Sequence, residues 1–259
     1  MLKRFFLSIM TCTFLWTSWI DAEAADWWKP RPGTRWQIQY TGTLSTSVNA
    51  AVYNIDLFDT SKSTIKSLHS KGKKVICYFS AGSYESWRPD AMRFPRATKG
   101  KRVDSWPGEK WLNIRRLDLL LPIMADRIKR AAAKGCDAVD PDNVDGYTND
   151  TGFRLSYGHQ FAYNVALADK AHSLGLAIGL KNDIDQIEDL VGFFDFAVNE
   201  ECFTYRECES LLPFIRAGKP VFGIEYALST PRFCSKANQM NFDFLRKRLN
   251  LNAWRRSCR

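Results

Sequence analysis

Residues 117–147 read LDLLLPIMADRIKRAAAKGCDAVDPDNVDGY, and this stretch decides the fold. Leu117, Leu121, Met124 and Ile128 recur at helical spacing, with Asp118 placed to cap the helix and Pro122 in its first turn. Gly135 then stops the helix, residues 136–139 form a short β-prone run, and Asp140 opens an acidic turn. Helix, strand and a carboxylate cluster at the strand's end therefore follow one another within a single unit.

The scheme extends in both directions. Strands are predicted at 36–40, 51–55, 74–79, 111–114, 136–139, 176–180, 194–198 and 220–224. A second helix is predicted over 156–174, with Phe161, Val165 and Ala168 on one side and Gly175 as its stop. Asp183 is expected to cap a shorter one that aligns Ile184, Ile187 and Val191. About eight such units, with no linker between them, fit an α/β chain folded as a (β/α)8 barrel of the TIM type better than an open doubly wound sheet. The early side should be irregular, because the first two strands are joined too closely for a helix and residues 83–108 form a long aromatic and basic loop. Trp27 and Trp28 precede the first strand and are expected to plug the bottom of the barrel.

The chain has 259 residues, 45% hydrophobic and 25% charged, a globular composition that excludes a disordered or collagen-like chain. Lys3 and Arg4 precede an apolar run over 5–20, and Ala22-Glu23-Ala24 offers a small-x-small cleavage site, so residues 1–24 read as a secretory signal and 25–259 as one domain. An uncleaved anchor is the alternative, but the run is short for a span of about 20 residues. The six cysteines outside the leader suit an exported protein, with Cys202–Cys208 and Cys234–Cys258 as local pairs. Cys77 and Cys136 fall in predicted strands, where a buried free thiol competes with a disulfide. No histidine lies near a cysteine at ligand spacing, so no metal site is expected.

Leader removal takes away two basic and two acidic residues, leaving the formal charge at +9. The basic residues are dispersed apart from a dense stretch over 246–259, read as a solvated helix face without the aromatic array of a stacking platform. The expectation is a monomer that binds neither nucleic acid nor, after leader cleavage, a membrane.

A barrel of this type carries its site at the C-terminal ends of the strands. Those ends supply Asp56 and Asp59, Tyr78, then Asp140, Asp142 and Asp145, then Lys181, Asn182 and Asp183, then Glu200 and Glu201, and finally Glu225 and Tyr226. A calcium loop in the Asp140 segment fails on spacing, because Val144 occupies a ligand position and Thr151 stands where the closing glutamate belongs. Two carboxyls facing each other across a barrel mouth are what glycosidic cleavage needs, one to protonate the leaving oxygen and one to attack or to activate water. Ion pairing of Glu200 and Glu201 with Arg206 is the bland alternative. Tyr78, Tyr84, Trp87, Trp106, Tyr147 and Tyr226 are candidate stacking faces for sugars.

Six motifs in order carry a resemblance. They are Tyr53-Asn54-Ile55-Asp56-Leu57-Phe58-Asp59, the run from Val75 to Glu85 (VICYFSAGSYE), Asp140-Pro141-Asp142-Asn143-Val144-Asp145-Gly146-Tyr147, Gly179-Leu180-Lys181-Asn182, Asn199-Glu200-Glu201-Cys202-Phe203 and Val221-Phe222-Gly223-Ile224-Glu225-Tyr226. Together they resemble glycoside hydrolase family 114, whose members are described as endo-α-1,4-polygalactosaminidases. The resemblance implies a secreted barrel enzyme without a cofactor, acting on α-1,4-linked galactosamine-containing polysaccharide. It places the catalytic carboxylates on Asp142 and Glu200, with Asp145 as a second candidate, and a retaining mechanism would make Asp142 the nucleophile and Glu200 the acid/base. Because a deacetylated galactosamine polymer is cationic, Asp56, Asp59, Asp140, Asp145 and Glu225 are expected to make the cleft negative despite the basic exterior and to bind amino groups. Tyr78, Tyr84, Tyr147, Lys181, Asn182 and Tyr226 complete the expected substrate contacts.

Overall fold

Short runs buried on both faces can only be strands that are covered twice, once by the barrel interior and once by helices. The computed structural model describes residues 26–259, so the expected leader at 1–24 lies outside the described residues. The elements run β1 (Trp36–Gln39), β2 (Val52–Asp56), α1 (Lys62–Ser70), β3 (Lys74–Ser80), β4 (Ser83–Glu85), β5 (Lys99–Arg102), β6 (Glu109–Leu112), α2 (Leu117–Lys134) and β7 (Ala138–Asp142). They continue with α3 (Tyr157–His172), β8 (Ala177–Lys181), α4 (Ile187–Leu190), β9 (Phe196–Glu200), α5 (Cys202–Tyr205), α6 (Leu212–Arg216) and β10 (Val221–Glu225), and close with α7 (Cys234–Gln239), β11 (Asp243–Arg246) and β12 (Arg256–Ser257).

Eight parallel strands form one curled sheet in the order β1-β2-β3-β7-β8-β9-β10-β11, and β12 adds antiparallel to β11. Alternate side chains, among them Trp36, Ile38, Val52, Ile76, Phe196, Val198, Phe222 and Ile224, fill the interior, while the other set packs under the helices. No ladder joins β1 to β11. The seam is bridged instead by Trp36 Nε1 donating to the Asp243 carbonyl at 3.0 Å and by Tyr40 N–H donating to that of Leu251 at 2.9 Å. Trp28 packs beneath the interior cluster, and Trp27 stacks on His172 at 3.9 Å while donating to Asp195, which puts the pair at the barrel's lower end.

Two strand expectations are corrected. Residues 111–114 do not form a barrel strand: Trp111 and Leu112 end β6, which pairs with β4 and β5 in a small antiparallel sheet made from the long early loop. The eighth barrel strand is β11, which no strand expectation covered and which ends where the basic stretch expected to be helical begins, at Arg246. Phe244 and Leu245 are fully buried there between polar neighbours, and two apolar residues are too brief a signal to read from sequence.

The helices follow their punctuation in part. Gly135 ends α2 at φ 89°, as expected, whereas Asp118 does not cap it but lies in its first turn, accepting two bonds from Arg116. Ser156 caps α3 in a capping box with His159. The face of α3 that meets the sheet carries Gln160, Tyr163, Asn164 and Leu167 rather than Phe161 and Val165, because two of its polar residues are hydrogen-bonded inside the fold. Asp183 stands at the N-cap position of the 3-10 turn Ile184–Gln186 that leads into α4, as expected, but its side chain makes no capping bond; it adopts φ 44° and turns its carboxylate to Asn164. All six cysteines pair, as Cys77–Cys136, Cys202–Cys208 and Cys234–Cys258, so the free-thiol alternative for Cys77 and Cys136 is overturned. Cys234–Cys258 ties α7 to the chain beyond β12 rather than clamping a C-terminal helix.

Candidate active site

The last residues of β7, β8 and β9 are Asp142, Lys181 and Glu200, three adjacent strands delivering their polar ends to one mouth. Lys181 is 1% exposed, and its ammonium stands 3.1 Å from Asp142 Oδ1 and 3.5 Å from Glu200 Oε2. Burial alone would lower its pKa, yet the carboxylates of Asp142, Glu200 and Asp140 raise it, so the cation persists at every working pH.

Each carboxylate is held from a second side. Asp142 accepts from the Tyr78 hydroxyl at 3.1 Å and from the Asn143 N–H at 2.9 Å. Glu200 Oε1 accepts from the Tyr226 hydroxyl at 2.5 Å, and the Glu200 N–H donates to Asn182 Oδ1 at 2.9 Å. Burial, then the Glu200 charge, push the Tyr226 phenol up, which keeps it a donor. Tyr40 stacks on Tyr78 at 4.1 Å, fixing that ring beneath Asp142.

Sharp turns end these strands. Asn143, Asn182, Asp183 and Glu201 all take positive φ, a conformation that costs a non-glycine residue about 1 kcal/mol or more. The turn after β3 passes so close that a Cβ on Gly82 would lie 1.6 Å from the Asn143 carbonyl oxygen, and only glycine fits there.

Several residues expected to contact substrate are engaged by the protein's own groups. Asp56 is gripped bidentately by Arg88 at 3.0 and 2.7 Å and accepts from the N–H groups of Phe58 and Asp59, so it anchors Arg88 instead of a sugar. Glu225 is fully buried and holds the loop after β9, through the Phe203 N–H and the Thr204 hydroxyl. Asp140 is fully buried under the site, bonded by Tyr40 and Asn54, and burial pushes its carboxyl up to about 6 despite nearby Lys181. Tyr84 packs on Phe94 and under Lys99 in the small sheet. Glu201 and Glu200 make no ion pair with Arg206; Glu200 turns to Lys181.

Asp59, Tyr78, Asp142, Asp145, Lys181, Asn182, Glu200 and Tyr226 do line a cleft of about 690 Å³, and Tyr147 lines an adjoining pocket of about 300 Å³. Asp145 faces both, and burial, then the Asp142 charge, push it up to about 6. Residues that sequence reasoning missed complete the cleft: Tyr40 just past β1, Glu85, Glu109 and Trp111 from the small sheet, and Tyr205 from α5. For Glu85, Glu109 and Trp111 the only signal was alternation within β4 and β6, and the runs are too short to show it. Eight carboxyl residues line the cleft against Arg88 and Lys181, so it is acidic inside a protein of net charge +9.

The family model described as glycoside-hydrolase family GH114 matches residues 17–259. Among solved structures, Ega3 of Aspergillus fumigatus, crystallised in complex with galactosamine, is 44% identical over 90% of this chain and 98% of that one, with a TM-score of 0.86. The glycoside hydrolase domain of PelA from Pseudomonas aeruginosa gives a TM-score of 0.66 at 13% identity, covering 86% of this chain and 98% of that one. The α-galactosidase TtGalA from Thermus thermophilus gives 0.56 at 11%, covering 83% and 58%. At such identities the last two share the fold alone. No curated protein matches the chain in sequence.

Proposed function

The chain belongs to glycoside-hydrolase family GH114, and from that premise we propose that it cleaves α-1,4-linked galactosamine-containing polysaccharide internally, with Asp142 and Glu200 as its catalytic pair. The observation that carries the assignment is the Lys181 ammonium set between these two carboxylates on the cleft floor. An ammonium at those distances keeps the two facing oxygens within about 6.6 Å of each other, which favours the closer spacing of retaining enzymes over the wider one that inverting enzymes need for an intervening water.

In the first step an Asp142 oxygen bonds to the anomeric carbon as the glycosidic C–O bond breaks, and Glu200 gives its proton to the departing oxygen. In the second, Glu200 takes a proton from water, the water oxygen bonds to the same carbon, and the Asp142 ester bond breaks. Tyr78 and the Asn143 N–H hold the nucleophile, and Tyr226 holds the acid/base. The acidic lining favours a polymer bearing ammonium groups over a neutral or anionic glycan. Exposed Trp87 and Trp106 along the cleft suit stacking against successive sugar rings.

Three disulfides favour an oxidising compartment, in line with the leader expected at 1–24. Among the described residues no helix is long and apolar enough to cross a membrane. The test is reducing-end release from partially deacetylated α-1,4-galactosamine polymer by the protein and by Glu200→Gln and Asp142→Asn. Release that falls at least about a thousandfold in both variants is expected; none from the folded parent refutes the substrate, and release unchanged in Glu200→Gln refutes the pair.

A further inference from the structure

We propose that Glu109 is a positioning residue for the nucleophile: through Ser83 and Ser80 it fixes the Asn143 side chain, and with it the backbone N–H that Asn143 gives to Asp142. The inference rests on the role proposed above for Asp142 and deepens it. Glu109 belongs to β6 of the small sheet, outside the barrel, whereas Asp142 ends β7. The sheet made from the long early loop thereby acts on turnover through a row of side chains.

The row is continuous, and its direction is fixed. The Ser83 hydroxyl donates to Glu109 Oε2 at 2.7 Å, and the hydroxyl oxygens of Ser83 and Ser80 stand 2.6 Å apart. A hydroxyl has one proton, and that of Ser83 is committed to Glu109, so Ser80 supplies the proton between the two serines. Ser80 Oγ then accepts from Asn143 Nδ2 at 3.0 Å and from the Ser83 N–H at 3.1 Å, which fills both of its lone pairs. Each side-chain proton in the row points toward Glu109, and both serines are fully buried. At the other end the Asn143 N–H donates to Asp142 Oδ1 at 2.9 Å, the oxygen that also faces Lys181. Asn143 holds that N–H in place at φ 59°, a conformation that persists only where the surroundings over-determine it, and its side chain is tied to these two serines.

An ionised acceptor makes the strongest terminus for such a row. The charged and titratable groups that face Glu109 are Glu85, directly opposite it in the β4–β6 register, Arg88 beyond β4, Tyr78 of β3 and Asp142 of β7. Arg88 is already committed to Glu85 and Asp56. Burial pushes the Glu109 carboxyl up to about 7, with the Glu85 and Asp142 charges adding to it against the Ser83 bond and Arg88. Glu109 therefore gains its charge as pH rises through about 7, and the grip on Asn143 tightens in the same interval.

The experiment measures kcat and KM against pH on deacetylated α-1,4-galactosamine polymer for the parent, Glu109→Gln, Ser80→Ala and the double variant. Glutamine keeps an acceptor for Ser83 and never carries the charge. At about pH 8, Glu109→Gln should lower kcat roughly threefold to tenfold with KM within about twofold. At about pH 5.5 the parent's own carboxyl is neutral, so the two kcat values should converge; the titration of the substrate is common to both proteins and cancels in their ratio. With the row already cut by Ser80→Ala, Glu109→Gln should have no further effect on kcat.

A raised KM at unchanged kcat would make Glu109 a substrate contact and overturn the proposal. A parent-to-variant ratio that does not move with pH would overturn it as well, as would a Glu109→Gln effect that survives undiminished in Ser80→Ala. Should Glu109→Gln fail to fold, Asn143→Gly keeps the backbone N–H and suits positive φ, and it should lower kcat over the same range with KM preserved; an unchanged kcat there would be equally fatal. A parent inactive on the polymer removes the substrate reading, and full release by Asp142→Asn removes the nucleophile and this inference with it. An active parent that needs Asp142 but is indifferent to Glu109→Gln removes this inference alone.

Discussion

Tyr226, one residue past the end of β10, reaches across to Glu200 at the end of β9 and places its hydroxyl 2.5 Å from Oε1. Two neighbouring strands thereby fix Glu200, the proposed acid/base, from outside its own loop. Tyr226→Phe keeps the ring and removes only that donor, so kcat should fall roughly tenfold to a hundredfold with KM within about twofold. Steady-state kinetics on the galactosamine polymer check this, and an unchanged kcat would show that the contact plays no part in turnover.

Lys181→Met removes a buried cation of nearly equal length and leaves Asp142 and Glu200 facing each other without it. Activity should drop below detection, and stability should fall by about 3 kcal/mol, the scale for stranding one side of a buried ion cluster. Thermal unfolding and reducing-end assays on the same preparation read both losses. Restoring charge with arginine should rescue neither, because the planar guanidinium cannot replace a compact ammonium at 1% exposure.

The Cys77–Cys136 bond joins β3 to the segment just before β7 across a separation of 59 residues. Replacing both cysteines with alanine should lower unfolding free energy by about 4 kcal/mol on the chain-entropy estimate, while activity at low temperature persists. Denaturant titration measures the first quantity; a shift under about 1 kcal/mol would mean that the unfolded chain gains little from its release.

Buried carboxyls give the fold a definite pH response. Asp140 and Asp145 are pushed up to about 6, Glu109 to about 7 and Asp183 to about 8, in each case first by burial. A raised acid binds its proton more tightly in the native state than in the unfolded one, so stability falls as pH rises through the interval between the two values. Unfolding free energy should therefore decline from about pH 4 toward pH 7. Asp183→Asn should flatten the slope and be more stable than the parent at pH 8, a result that urea titrations at several pH values would establish or deny.

Much of this was legible before any coordinates. The β7 unit, six of the other seven parallel strands and the polar ends Asp142, Lys181 and Glu200 follow from hydrophobic runs that end in polar residues. Where sequence reasoning failed, the local signal was weak or outvoted. β11 carries only Phe244 and Leu245 as its apolar core, and the basic residues that follow from Arg246 imitate a solvated helix. Asp56 and Glu225 have the right residue type at the right strand position, but their partners Arg88 and Thr204 lie elsewhere in the chain. The inward-facing polar residues of α3 contradict amphipathic patterning, since Asn164 serves Asp183 and the Val144 carbonyl rather than the apolar core.

The contrast between an acidic cleft and a body of net charge +9 bears on what happens after each cut. At long range a charge of that sign repels a polymer of ammonium sugars, so the proposed substrate and its fragments would be attracted only where the acidic lining prevails. On the proposed substrate, this repulsion would keep products from accumulating on the enzyme's exterior. Added salt should weaken this protection, since screening the exterior lets fragments linger where they cannot be cut.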